Sequence, residues 1–158
     1  MSGTTKSRLG RITGFITIVV SFLCLATYYN TATPIFEAPD ELQHTAFVAW
    51  LDDVGSLPQV NSEQHGPWEQ EGTQAPLYYW LAALSVSGVP HDRADALAER
   101  NPHANVGEPL RPDNKNRVLH DPEREQWPYR GTALLVHLLR AFSSTLAVGT
   151  RGAFSISR

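Results

Sequence analysis

The sequence predicts a mainly α protein. Its parts are an N-terminal transmembrane helix, an extracytoplasmic loop domain with short amphipathic helices, and the start of a second transmembrane helix. Three observations carry this. Residues Ile12 to Tyr29 hold no charge over 18 positions. Past Asp40, apolar side chains recur at helical spacing in short stretches bounded by glycine and proline. From Thr132 to Thr150 there is a second apolar run.

The boundaries come from these runs. Residues 1–11 are polar and carry Lys6, Arg8 and Arg11 with no acid. Residues 12–29 have the length a membrane span needs, about 17–25 residues. Basic residues before an apolar span favour a cytoplasmic N-terminus and export of the segment after the span. Tyr28 and Tyr29 sit at the far end, where amphipathic rings favour the interface. A cleaved signal peptide competes with this reading, but Thr31-Ala32-Thr33 is a modest match to a small-x-small cleavage site. Residues 30–131 then form the extracytoplasmic loop.

Within that loop, prolines 34 and 39 interrupt helix formation, because each lacks a donor and restricts its neighbour. The next helix runs over about 40–55. Leu42, Ala46, Phe47, Trp50, Leu51 and Val54 lie on its apolar face, and Asp40 and Glu41 stand where the helix dipole favours negative charge. Gly55 and Pro58 end it. Asp52 and Asp53 fall off the stripe and read as solvated. A polar loop spans Val60–Gly72. Another helix covers about 75–88, with Pro76 in its first turn. It is too short to span a bilayer, so it is a core helix or one lying along the membrane surface. A short helix over Asp92–Arg100 is expected, and Asn101–Gln126 reads as a long irregular segment. Residues 132–150 are the start of the second transmembrane helix; His137 and Arg140 within it need protein or water partners. Residues 151–158 read as a tail.

Composition narrows the classes. A formal charge of −3 gives no basic excess for nucleic acid. Cys24 is the one cysteine and lies inside the first apolar run, so neither a disulfide framework within one chain nor a CxxC metal site is available.

Several motifs then agree in order and spacing. Ala38-Pro39-Asp40-Glu41 with His44 resembles the "APDEPAH" opening of the first outer loop in polyprenyl-phosphate-dependent, GT-C-type membrane glycosyltransferases of the protein mannosyltransferase kind. Gly55-Ser56-Leu57-Pro58 is similar to that family's "GRLP". Glu71-Gly72-Thr73-Gln74-Ala75-Pro76-Leu77-Tyr78-Tyr79 resembles its "E-x-x-QPPLYY" segment. Leu119-His120-Asp121-Pro122 and Pro128-Tyr129-Arg130-Gly131 resemble the end of the loop, and Val136-His137-Leu138-Leu139-Arg140 with Ser143 the entry to the second span. Leu42 departs from the pattern by replacing a proline. The resemblance covers about Ile35 to Thr150, the first part of such an enzyme, so it implies a fragment that is inactive alone. Its partners would be membrane lipid and a polyprenyl-phosphate sugar donor, with no nucleic acid and no cofactor.

The resemblance makes Asp40 the catalytic base, with Glu41 and His44 beside it. A carboxylate can take the acceptor's proton or orient the acceptor. Without the resemblance, Asp40 is a helix N-cap, Glu41 a first-turn acid and His44 an exposed or core histidine. Asp40, Glu41 and His44 could together hold a divalent metal, the lowest-ranked option. Tyr78 and Tyr79 could stack on a sugar or isoprenoid, or belong to an interfacial aromatic belt. Arg130 and Arg140 could bind phosphate through paired hydrogen bonds; Arg130 alternatively contacts a lipid headgroup. Glu71 and Asp121 could complete a polar pocket or be solvated loop acids. The competing function is a membrane-anchored, non-catalytic domain that binds a partner or lipid.

Overall fold

The computed structural model describes residues 3–58, 66–105, 107, 108, 110, 111 and 116–156. It is mainly helical, as expected. The helices are α1 (Gly3–Ala32), α2 (Glu41–Val54), α3 (Leu77–Val86), α4 (Pro122–Glu125) and α5 (Gly131–Ile156), with a 3₁₀ turn over Glu69–Thr73 before α3. Among the described residues no strand forms; Arg100 and Val118 make one isolated antiparallel bridge. The chain divides into two compact units, one of residues 1–32 and 140–158, the other of residues 33–139.

The first unit holds α1 and the later part of α5. Leu9–Ala32 of α1 and Gly131–Thr150 of α5 are long and apolar enough to cross a membrane, with mean hydropathies of 2.0 and 1.4. Leu9, Ile12, Ile16, Ile18 and Leu25 of α1 are all exposed, so among the described residues no core buries this stretch. Its threonine hydroxyls bond within the helix: Thr17 donates to the Thr13 carbonyl at 2.9 Å and Thr31 to the Thr27 carbonyl at 3.1 Å. A helix that satisfies its own polar groups suits a bilayer, where no water can do so. Helix α5 continues through Ile156, past the boundary expected at 150, because Arg151–Ile156 contains no proline to stop it.

In the second unit α2 packs on α3 and on the 3₁₀ turn. Phe47 stacks on Tyr79 with ring centroids 4.1 Å apart, and both are almost fully buried. Gly55 takes the left-handed conformation (φ 67°) and its N–H closes α2 on the Leu51 carbonyl at 3.0 Å. A second cluster joins Ile35, Phe36, Ala46 and Ala49 to Ala94, Leu97, Val118 and the start of α5 through Ala133 and Val136. The opening turns of α5 therefore serve as a core helix. His137 is buried there and stacks on Tyr129 at 3.7 Å.

Two further expectations change. Asp92–Arg100 forms turns and not a helix. The Asp92 N–H bonds Thr132 Oγ1 at 3.0 Å and its carboxylate accepts from the same hydroxyl at 2.8 Å, so tertiary anchoring overrides local propensity. Asp52 is not simply solvated: its Oδ2 lies 3.3 Å from Nε2 of His91, whose side chain is only 4% exposed. Asp53 is exposed, as expected.

Candidate active site

The segment entering α2 carries two non-glycine residues with left-handed backbone, Phe36 (φ 64°) and Asp40 (φ 58°). Aspartate tolerates that region; for a buried phenylalanine it costs about 1–3 kcal/mol. Glu41 helps hold the turn, because its Oε2 accepts the Phe36 N–H at 2.7 Å. Glu41 is thus a loop brace as well as a first-turn acid.

Asp40 occupies the N-cap position but its side chain makes no capping hydrogen bond. It lines a cavity of about 440 Å³ with Phe36, Leu42, Gln43, Arg100 and Arg117. Arg100 is paired at 2.6 Å with Glu69. The carboxylate of Asp40 and the guanidinium of Arg117 have no partner among the described residues.

His44 turns its ring to Tyr79, with Nδ1 2.7 Å from the phenolic oxygen. Tyr79 donates to Gln74 Oε1 at 2.9 Å, and the Gln74 amide nitrogen donates to Glu71 Oε2. Glu71 is 3% exposed, with Gln70 Nε2 at 3.4 Å and His44 Nδ1 at 3.8 Å. Burial first, then the charge of Glu71 and a smaller effect of Tyr78, push the Tyr79 phenol up to about 12. Glu71, which the sequence leaves as either a pocket acid or a solvated one, is a core carboxylate satisfied by a network. Tyr79 belongs to the core. Tyr78 is 37% exposed on the same helix.

A third cluster lies where the loop begins and ends. His120 sits between two carboxylates, with Nδ1 2.7 Å from Glu125 Oε2 and Nε2 3.0 Å from Glu37 Oε1. Glu37 also accepts the backbone N–H groups of Arg117 and Val118 at 3.0 and 3.3 Å. Burial alone would pull the imidazole down. The hydrogen bonds and charges of Glu37 and Glu125 outweigh it, and the pKa of His120 is raised.

Of the expected phosphate binders in the unit that holds Asp40, Arg130 does not line the Asp40 cavity. Arg130 is exposed and lines a separate cavity of about 600 Å³ with Leu97, Trp127, Asp121 and Arg124. Arg140 belongs to the other unit, where Nη1 donates to the Asn30 carbonyl at 2.9 Å. Asp121 caps α4 by accepting the Glu123 N–H at 3.0 Å. Among the described residues no group of three His, Cys, Asp or Glu is placed to hold a metal ion. Asp40, Glu41 and His44 are directed to a cavity, to the Phe36 amide and to Tyr79 in turn, so they do not converge on one ion.

No family model, curated protein or solved structure matches this chain. The site's chemistry therefore rests on its own residues. Sequence reasoning missed Arg117, Gln74, Glu37 and Glu125. Arg117 sits in a stretch of alternating charge where nothing separates it from its neighbours. Gln74 carries no charge to draw notice. Glu37 and Glu125 are 88 positions apart in the chain and meet only through His120.

Proposed function

We propose that the chain forms the first span, the outer loop domain and the second span of a GT-C-type glycosyltransferase, moving a sugar from a polyprenyl-phosphate donor to an extracytoplasmic hydroxyl acceptor. The sequence resemblance from Ala38 to His44 and from Glu71 to Tyr79 supports the class. One structural observation carries the site. The Asp40 carboxylate does not cap its helix, and it shares a cavity with Arg117, whose guanidinium is unpaired among the described residues. In this mechanism the acceptor oxygen attacks the anomeric carbon while its proton passes to Asp40. The bond from that carbon to the phosphate oxygen breaks, and the electron pair stays on the phosphate. Arg117 offsets the developing charge.

Photo-crosslinking tests this. Membranes containing the protein are irradiated with a diazirine-bearing polyprenyl-phosphate sugar, and a photoreactive phosphatidylglycerol serves as control. The account expects loop labelling that unlabelled polyprenyl phosphate displaces and that Arg117→Gln reduces severalfold. Labelling no greater than the control, or unchanged by Arg117→Gln, overturns it.

One observation favours the second reading, a non-catalytic anchored domain resting on lipid. Leu77, Leu81 and Leu84 of α3 are 70%, 44% and 71% exposed along one stripe, while Tyr79, Ala82, Ala83 and Val86 are buried. An exposed apolar stripe with Tyr78 beside it suits a helix lying in the interface. The same stripe fits the outer loop of a membrane enzyme, so the crosslinking result decides between them.

A further inference from the structure

The buried network behind His44 fixes where its proton sits. Glu71, as a carboxylate, only accepts hydrogen bonds, so the Gln74 amide must present nitrogen to it and oxygen to Tyr79. Tyr79 has one proton, and it goes to that oxygen at 2.9 Å. The phenolic oxygen is then left as an acceptor toward His44, 2.7 Å away. His44 must therefore carry its proton on Nδ1. The nearby Glu71 Oε2, 3.8 Å from the same nitrogen, favours that placement electrostatically. The Tyr79 phenol, with its pKa raised to about 12, keeps its proton throughout the neutral range.

The other ring nitrogen is differently placed. Nε2 makes no hydrogen bond among the described residues, and the His44 side chain is 40% exposed. A neutral imidazole protonated on Nδ1 has its lone pair on Nε2. His44 also lies one helical turn from Asp40, its backbone N–H bonding the Asp40 carbonyl at 3.0 Å.

We infer that His44 is a proton acceptor at the start of α2, held in the Nδ1–H tautomer by Tyr79, Gln74 and Glu71 so that the Nε2 lone pair is left free to receive a proton. A use for that lone pair in sugar transfer rests on the proposed transferase reading; the tautomer does not. The step balances: Nε2 takes a proton to give the imidazolium, which releases that proton to solvent and restores the neutral Nδ1–H form. Tyr79, Gln74 and Glu71 are positioning residues that touch no substrate.

The test is a long-range ¹H–¹⁵N correlation spectrum of the full chain, labelled in its histidines and held in micelles. It is recorded well above the ordinary histidine pKa of about 6.5. The expected His44 pattern has Nδ1 protonated and Nε2 bare, the reverse of the tautomer free histidine favours. Tyr79→Phe keeps the ring that packs on Phe47 and removes the acceptor, and should return His44 toward the Nε2–H form. Finding Nε2–H in the unmodified protein, or an unchanged pattern in Tyr79→Phe, overturns the proposal. Diethylpyrocarbonate, which acylates bare and accessible imidazole nitrogen, gives a second measurement on the unmodified protein. Mass spectrometry should find His44 acylated faster than buried His91, and equal or slower reaction contradicts the exposed lone pair. Neither measurement depends on sugar transfer, so failure of the tautomer leaves the transferase reading standing and the reverse also holds.

Discussion

The Arg140 guanidinium donates through Nη1 to the carbonyl oxygen of Asn30, 2.9 Å away, in the last turn of α1. A helix ends with carbonyls that lack intrahelical partners and carry partial negative charge. Arg140 supplies both a donor and a positive charge there. A cation on a helix of membrane-spanning length is expensive unless partnered, and this is a partner built from the other such helix.

Replacing that cation should therefore cost stability even though the helix becomes more apolar. Arg140→Leu leaves the Asn30 carbonyl without its charged donor, a loss of about 1.5–3 kcal/mol for a hydrogen bond to a charged group. Thermal denaturation in detergent should show a lowered Tm. An unchanged or raised Tm would mean that the pair contributes nothing net.

The Glu37–His120–Glu125 cluster predicts a pH dependence with a definite sign. Because the pKa of His120 is raised in the folded protein, its contribution is complete below the unfolded value of about 6.5. It is lost as pH rises through the raised folded value. Stability measured across the neutral and mildly alkaline range should fall, and Glu37→Gln should flatten that fall. A profile with the same slope in Glu37→Gln would rule out His120 as its source.

Tyr79 joins the polar network to the apolar core, so two substitutions separate its contributions. Tyr79→Phe leaves buried partners in the network unsatisfied and should cost about 1–3 kcal/mol. Phe47→Ala removes the ring stacked on it and should cost about 3–5 kcal/mol. Denaturant titration measures both. A larger loss from Tyr79→Phe than from Phe47→Ala would show that the network, and not the packing, dominates this core.

The fold is largely legible in the sequence because its signals are local and repetitive. The uncharged run after Ile12, the apolar spacing from Leu42 to Leu51 and the Gly55 stop each act over a few turns. Asp92–Arg100 reads wrongly as a helix because a bond to Thr132, 40 positions from Asp92, decides its conformation. The site is legible only in part. Asp40 and His44 stand out as polar residues at a helix start. Their surroundings do not: Glu71 reads as one loop acid among several until Gln74 and Tyr79 fold over it, and Arg117 reads as one of many surface cations. Long-range pairing of ordinary residues leaves no trace in spacing.

The proposed orientation rests on Lys6, Arg8 and Arg11 ahead of an uncharged run. A reporter active only outside the cytoplasm, inserted at Pro90, should give strong signal. Strong signal from a cytoplasmic reporter at the same position would put Asp40 on the wrong side of the membrane for the proposed chemistry.

The role of Asp40 is tested most directly by Asp40→Asn in a full-length transferase of which this chain is the proposed first part. Transfer from a labelled polyprenyl-phosphate sugar is then measured in membranes that contain it. Asparagine tolerates the left-handed backbone that Asp40 adopts, so folding should be preserved. Only the charge and the proton-accepting oxygen are lost. The account predicts a fall of about 10²–10⁴-fold in transfer at unchanged Tm. Near-normal transfer by stably folded Asp40→Asn would contradict it.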